Sequence, residues 1–457
     1  MNKLLKHADT CRISVIIVFL LVCMTCFVMT QPFGDGPDEI NRYKVVSYIQ
    51  QHGTIPAGYE PEIIIDGYGA SYAFQPILTY IIEGFLLRCL SPLHLSFDTE
   101  LVIARYVNVL FGLIAAFYTY KLSGLLFSKP QSAMLFTLGV TLLPQNIFVY
   151  TYVNTDGMAL MSCVMMMYSL IRGYRNNFDR VSVITLSVGM ALCLLSYYNC
   201  YSFILVTAVS FVLYYFFHKD VSKKEMFQKG GIIVAIVSIL AGWWFIRNMV
   251  LYDGDILALS ARSECAQLTG NWYFLEQMAQ TYKVQGYSVM DMVFGTDYYT
   301  LVWKSFIGMF GPMLIPTVHQ LYMAYKYLTV ICLLCLIIRK HSSFMTEMSF
   351  SSKMIICIGM AVLAGITTVI NVIYSYNWDF QPQGRYYLPM LLPLACLLCV
   401  GLEKLITLVS DILESLMTNK KASAYASALM YHMFYAFFFL SAAVSVYMML
   451  KYYASTL

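Results

Sequence analysis

Apolar runs long enough to cross a hydrocarbon layer recur along this chain from end to end. A sequence built that way cannot fold around a single water-surrounded core. A spanning helix takes roughly 20 mainly apolar residues. Such runs lie at 13–29, 101–126, 131–150, 157–172, 181–198, 201–217, 230–251, 319–338, 354–374, 386–409 and 427–450. Only a brief polar break at Asn199 separates the fifth from the sixth. Charged residues are 12% of the chain against 59% hydrophobic, where soluble domains carry roughly 25% charge. The expected fold is therefore an all-α polytopic membrane protein of about eleven transmembrane helices, since lipid tolerates only helices and closed barrels. Residues 1–457 read as a single integral-membrane domain. Two long intervals, 31–100 and 252–318, are polar and amphipathic and are expected to form loops containing interfacial helices. The first run follows Arg12 and lacks a small-x-small cleavage site, so it reads as an uncleaved anchor.

Basic residues concentrate in the inner turns of such proteins. With the N-terminus inside, 18 of the 29 basic residues fall at inside positions, among them Arg172, Arg175, Arg180, Lys223, Lys224, Lys229, Arg339, Lys340 and Lys353. Of the 25 acidic residues, 17 fall outside, nine of them within 31–100. The sequence thus predicts a multi-pass plasma-membrane protein with both long loops, and the C-terminus, on the extracytoplasmic side.

Several function classes are excluded or weakened. The net charge of +4 is small and dispersed, unlike a nucleic-acid footprint. There is no P-loop, no G-x-G-x-x-G and no internal repeat, so nucleotide binding and inverted-repeat transport lack support. Cys23 and Cys26, Cys332 and Cys335, and Cys396 and Cys399 have C-x-x-C spacing but sit in apolar runs without His or turn residues. They read as small packing residues. His52 and His94 have no partners at metal-ligand spacing. Asp253-Gly254-Asp255 has a spacing that can hold a metal, yet Gly between two Asp favours a turn. No metal and no cofactor are expected.

The chemistry-bearing residues lie in the outside segments. Gly34-Asp35-Gly36-Pro37 makes a turn after the first run, and Asp38 and Glu39 then open a helix near 38–51. An acidic pair there complements the helix dipole and caps free N–H groups. It also places a carboxylate at the membrane surface, where it can take a proton as general base. Gln75-Pro76-Ile77-Leu78-Thr79-Tyr80 opens a second amphipathic stretch that can wall a cavity. Between them, the Gly- and Tyr-rich connector Gly67-Tyr68-Gly69-Ala70-Ser71-Tyr72 reads as evenly a flexible loop as a functional segment. Asn154 and Asp156 share a very short outside loop, either capping the next helix with Asp156 as N-cap or organising a substrate. Arg247, Lys304 and Arg385 sit at outer helix ends or outside segments. There a basic residue either snorkels to headgroups or binds phosphate.

Five segments, in order, resemble the GT-C superfamily of integral-membrane glycosyltransferases. The likeness is greatest to the bacterial branch of aminoarabinose transferases, protein O-mannosyltransferases and uncharacterised cell-envelope enzymes. Pro37-Asp38-Glu39 stands where that family keeps its acidic motif, and Gln75 to Tyr80 is similar to an "HPPLYY" stretch. Val153-Asn154-Thr155-Asp156-Gly157 is similar to "VNxDxxA", Arg247 to Asp255 to "RNWxLYGDP", and Gln383-Gly384-Arg385-Tyr386-Tyr387-Leu388-Pro389 to "QGRYLLP". Trp303 to Gly311 also resembles a "WxSFxGxFG" loop. The likeness spans about residues 14–400. Gln75 stands where the family has His, and the acidic motif is reduced to a single Asp-Glu.

This resemblance implies a polyprenyl-phosphate sugar as donor, transfer with inversion on the outer face, and a role in cell-envelope polysaccharide biosynthesis. The acceptor, whether glycan, lipid or protein, is left open. It implies Asp38 as base with Glu39 as orienting partner or substitute. Arg385, Arg247 and Lys304 are then the donor-phosphate residues, and Asn154, Asp156, Gln75 and Tyr80 line the acceptor side. Two rivals remain: a lipid or polysaccharide flippase, and a non-catalytic scaffold for envelope assembly.

Overall fold

The computed structural model describes residues 2–218, 221–272, 276, 280–416 and 420–455, with side chains described outside 2–10 and 420–422. The chain is helical almost throughout. In order run α1 Asn2–Thr30, α2 Glu39–His52, α3 Leu78–Leu90, α4 Phe97–Leu126, α5 Pro130–Thr141, α6 Pro144–Val149, α7 Asp156–Arg175, α8 Arg180–Leu194, α9 Tyr201–Phe217, α10 Lys223–Leu251 and α11 Leu259–Thr269. Then follow α12 Val289–Gly295, α13 Tyr298–Gly308, α14 His319–Cys335, α15 Phe350–Asn377, α16 Leu391–Leu416 and α17 Lys420–Ala454. The described strands are two short ones, Met309–Phe310 and Ile315–Pro316. They pair antiparallel, Phe310 opposite Ile315.

Among the described residues, seven helices are long and apolar enough to cross a membrane: Cys11–Thr30, Phe97–Leu126, Tyr198–Phe217, Lys223–Leu251, Phe350–Asn377, Gly384–Leu416 and Ser423–Ala454. The other four apolar runs are helical but depart from the expected spans. The 131–150 run is two helices, because Pro144 supplies no N–H and holds Leu143 extended at φ −61, ψ 122. Helix α7 begins on Asp156 and ends on Arg172 and Arg175, and is buried along most of its length. Helices α8 and α14 have 15 and 17 residues. The break expected at Asn199 is present as a 3-10 turn over Tyr198–Cys200.

Contacts between turns sort into two layers at opposite ends of the bundle. In one, Lys129 pairs with Glu403 at 3.1 Å, Arg175 with Glu347 at 2.8 Å and Lys340 with Asp411 at 2.7 Å. In the other, the Tyr453 hydroxyl donates to Asp35 at 2.7 Å, and Arg385 and Arg42 reach Asp38. The first layer gathers the lysine- and arginine-rich turns, and the second gathers the two long intervals.

The main core lies among α1, α4–α10 and α13–α17. A second core forms where α2 and α3 pack on α4, α8 and α10 through Val45, Val46, Ile49, Tyr80, Leu87, Ala104, Leu195 and Trp244. The 31–100 interval is therefore a packed cap. Its glycine-rich connector is packed too. Gly69 sits at φ +80 with its Cα against the Gly270 backbone, where no side chain fits, and Asn271 N–H donates to the Gly67 carbonyl at 2.8 Å. The C-x-x-C cysteines are free thiols, all buried except half-buried Cys26. At Gly401, helix α16 lies against the Cys332 carbonyl, so these cysteines sit at helix–helix seams.

Candidate active site

The turn after α1 decides what the Asp38–Glu39 pair can do. Asp38 precedes α2 but does not cap it: its backbone is left-handed, φ 62, and its side chain makes no capping hydrogen bond. A non-glycine residue held there costs about 1 kcal/mol or more, which the surroundings must offset. The conformation turns the carboxylate outward, with 41% of the side chain exposed. Glu39 points the opposite way and is fully buried. It forms a two-point pair with Arg105, Oε1 to Nε at 2.8 Å and Oε2 to Nη2 at 2.6 Å, and accepts from Val153 N–H at 3.1 Å. Arg105 spends its remaining donors on the carbonyls of Val28, Gln31 and Pro32. Such a forked, charge-assisted pair clamps α1, α2 and α4 together. Expected as a partner or substitute for Asp38, Glu39 is instead sealed away from its surface.

Two arginines meet Asp38. Arg42, one helical turn on, brings Nη2 to 3.6 Å from Oδ2. Arg385 brings Nη2 to 3.2 Å from the same oxygen. Arg42 also pairs with Asp156 through Nη1 at 3.2 Å and lies over the Tyr72 ring at 5.4 Å. Burial opposes the charge on Asp38, but Arg42 and Arg385, with the Tyr72 hydroxyl, outweigh it and hold the carboxyl below its ordinary value. Nearby Asp379 goes the other way. Burial raises it, Gln381 opposes, and the charge of Asp38 adds to the rise.

Arg385 is placed by a backbone fit. Gly384 lies flat on the Phe306 backbone, where a Cβ finds no room, and its N–H donates to Ser305 Oγ at 2.7 Å. The Trp303–Gly311 segment therefore seats the Gln383-Gly384-Arg385 turn. Arg385 Nη2 donates to the Tyr386 hydroxyl at 2.9 Å, which donates to Gln381 Oε1 at 2.6 Å. Arg385 Nε and Nη1 and Arg42 Nε are buried and meet no acceptor among the described residues. The Tyr152 hydroxyl, equally buried, faces Arg385. Buried guanidinium N–H groups without acceptors are costly, and around one exposed carboxylate they leave donor capacity that an anion can take up.

The other expected residues divide. Asp156 joins the cluster through Arg42, but the N-cap position is Thr155, and the side chain capping α7 is that of Asn154, which accepts from Gly157 N–H at 2.9 Å. Tyr80 is buried beside Arg42. Gln75 is half-buried and ends the 3-10 turn Tyr72–Phe74 that presents Tyr72. Arg247 is not brought in: it donates to the Pro56 carbonyl and Asn248 and lies over Trp244 at 4.9 Å, tying α10 to the first interval. Lys304 is half-buried on α13 and makes no ion pair among the described residues. Asp253-Gly254-Asp255 is a turn in which Asp255 accepts from Ser260 and Ala261 N–H at 2.7 and 3.1 Å, capping α11. Arg42 was the residue missed, although its i, i+4 spacing from Asp38 was readable.

An open cleft of about 610 Å³ is lined by Tyr282, Gln285, Tyr287, Asp291, Gly295 and Thr296, and the Tyr376 hydroxyl at the end of α15 donates to the Tyr287 carbonyl at 2.9 Å. Phe380 packs on Tyr282 at 5.0 Å and Tyr298 at 5.9 Å, while the Tyr298 and Tyr387 hydroxyls meet at 2.8 Å.

No family model matches the chain, and no curated protein matches it in sequence. Solved structures do match in fold. The Archaeoglobus fulgidus oligosaccharyltransferase AglB, in complex with an inhibitory peptide and a dolichol-phosphate, superposes with a TM-score of 0.56 at 11% identity, over 95% of this chain and 56% of that one. An Archaeoglobus fulgidus oligosaccharyltransferase tethered to an acceptor peptide containing the NVT sequon gives 0.55 at 12%, over 95% of this chain and 55% of that one. ArnT from Cupriavidus metallidurans, bound to undecaprenyl phosphate, gives 0.51 at 12%, over 96% of this chain and 76% of that one. The chain spans about half the length of the archaeal enzyme. It has the fold of the GT-C membrane glycosyltransferases.

Proposed function

We propose, with the GT-C fold as premise, that this chain is a membrane glycosyltransferase. It takes a sugar from a polyprenyl-phosphate carrier and passes it to an envelope acceptor on the extracytoplasmic face. The observation that carries the reading is the half-exposed Asp38 carboxylate between two buried guanidinium groups with three donor nitrogens unpartnered among the described residues. Those donors match the oxygens of a phosphate, which guanidinium binds two at a time. The structural relatives solved with dolichol-phosphate and undecaprenyl phosphate support the same chemistry.

In the proposed step, Asp38 takes the proton of an acceptor hydroxyl. The acceptor oxygen bonds to the anomeric carbon as the bond from that carbon to the phosphate oxygen breaks. The electron pair leaves on the polyprenyl phosphate, whose growing negative charge is met by Arg385 and the free Nε of Arg42. The lowered proton affinity of Asp38 does not oppose this role. A phosphate that draws the guanidinium groups onto itself weakens their hold on Asp38, so the base strengthens when the donor binds. Asp156 keeps Arg42 aimed, and the Tyr282–Thr296 cleft gives the acceptor a route in. The site lies in the layer opposite the lysine- and arginine-rich turns, and that charge asymmetry supports the outer face.

The test is purified protein in nanodiscs with a panel of polyprenyl-phosphate monosaccharides and candidate acceptors, donor turnover being read by mass spectrometry. Turnover abolished in both Asp38→Asn and Arg385→Ala supports the reading. Turnover unchanged in Asp38→Asn removes the assigned base. Lipid flipping without transfer replaces the reading with a flippase.

A further inference from the structure

Beneath the site lies a carboxyl group that the proposed reaction does not use. Helix α3 packs closely on α2 because Gly84 lies against it; a Cβ there would stand 2.6 Å from Ile49 Cβ. Its neighbour Glu83 is fully buried. Glu83 Oε1 accepts from Asn108 Nδ2 at 3.1 Å, and Oε2 meets no donor among the described residues. Asn108 Nδ2 also donates to the Asn154 carbonyl at 3.2 Å, while Asn108 Oδ1 is buried without a donor. Asn154 in turn holds the start of α7: its Nδ2 donates to Val149 and Tyr152 carbonyls at 2.8 and 2.7 Å, and its Oδ1 caps Gly157. Gly157 sits directly on Asn108 Oδ1, so the helix start is seated on that amide. The adjacent Asp156 carries Arg42, and Arg42 faces Asp38.

We infer that Glu83 is a positioning residue held in its neutral form, which through Asn108 and Asn154 sets the start of α7 and so the aim of Asp156 and Arg42 at Asp38. A buried carboxylate with one oxygen unmatched is expensive, whereas a carboxylic acid carries an O–H of its own. A proton on Oε2 supplies a donor where Asn108 Oδ1 lacks one. Acid and amide then complement each other, the amide N–H already being on Oε1. The surrounding charges agree. Burial pushes the Glu83 carboxyl well above its ordinary value and the charge of Glu39 adds to this, with Arg42 opposing. Also near are Tyr43, and Tyr80 from its own helix. The Arg105 charge on α4 is committed to Glu39.

The kinetic arm of this inference rests on the transferase reading, and its thermal arm does not. Wild type, Glu83→Gln and Glu83→Ala are purified and their thermal midpoints followed from about pH 6 to about pH 9. A group whose proton affinity rises on folding stabilises at low pH and loses that contribution as pH climbs. The wild-type midpoint is therefore expected to fall relative to Glu83→Gln as pH rises. In turnover, Glu83→Gln is expected to rescue the function that Glu83→Ala loses, the alanine variant falling about tenfold or more in kcat through misplaced Arg42. Parallel pH profiles for wild type and Glu83→Gln would overturn the neutral assignment. A folded Glu83→Ala with full turnover would overturn the positioning role.

Discussion

Neighbouring acids of similar chemistry, Asp38 and Glu39, take opposite parts because one backbone angle turns them apart. Asp38→Asn is expected to lower transfer by about 10²- to 10⁴-fold, the usual worth of a positioned base, with a thermal midpoint close to wild type. Glu39→Ala is expected to do the reverse. It strands the buried Arg105 charge and costs roughly 3–5 kcal/mol, read as a fall in midpoint before any kinetic measurement. The pH profile carries a third expectation. Asp38 is held below its ordinary value by Arg42 and Arg385, so it stays ionised, and its contribution persists, until pH falls through that lowered value. In Arg42→Gln the acid limb of kcat/KM should move to higher pH; an unmoved limb argues that Asp38 is not the titrating base. The acidic pair was legible in the sequence. Which of the two faces the surface was not, because a left-handed φ at Asp38 is set by the turn packed above it.

Among elements, the turn carrying Arg385 depends most on a fit that leaves no tolerance. Gly384 lies on the Phe306 backbone, so Gly384→Ala must lift the turn and carry Arg385 away from Asp38. The expected result is loss of lipid-phosphate binding together with a lowered midpoint, measured by titrating undecaprenyl phosphate into the purified variant. Ser305→Ala, which removes one hydrogen bond to the same turn, should cost only about 1 kcal/mol. If Gly384→Ala binds and unfolds like wild type, Arg385 is not placed by this fit. The sequence marked both segments as motifs but not that one is the seat of the other. It also marked the 131–150 run as a single span, whereas Pro144 divides it. Hydropathy sums over such a window and is blind to one missing N–H.

The whole molecule has a direction. The Tyr453 hydroxyl on Asp35 brings the end of α17 to the layer that holds Asp38. A periplasm-active reporter, such as alkaline phosphatase, fused to the C-terminus should therefore be active, and a fusion in the Arg172–Arg180 turn inactive. The opposite pattern would place the site inside. The membrane class, the charge asymmetry and the positions of the two long intervals were determined by the sequence alone. Each is a sum over neighbouring residues, and local sums survive without coordinates. The candidate site is of another kind. Arg42 and Asp156 are 114 positions apart, and Asp38 and Arg385 are 347 apart. Their meeting, and the exclusion of Arg247, depend on which helix ends pack together. Tertiary structure alone decided that, because only packing determines which distant polar groups share a buried space and which are left facing an open one.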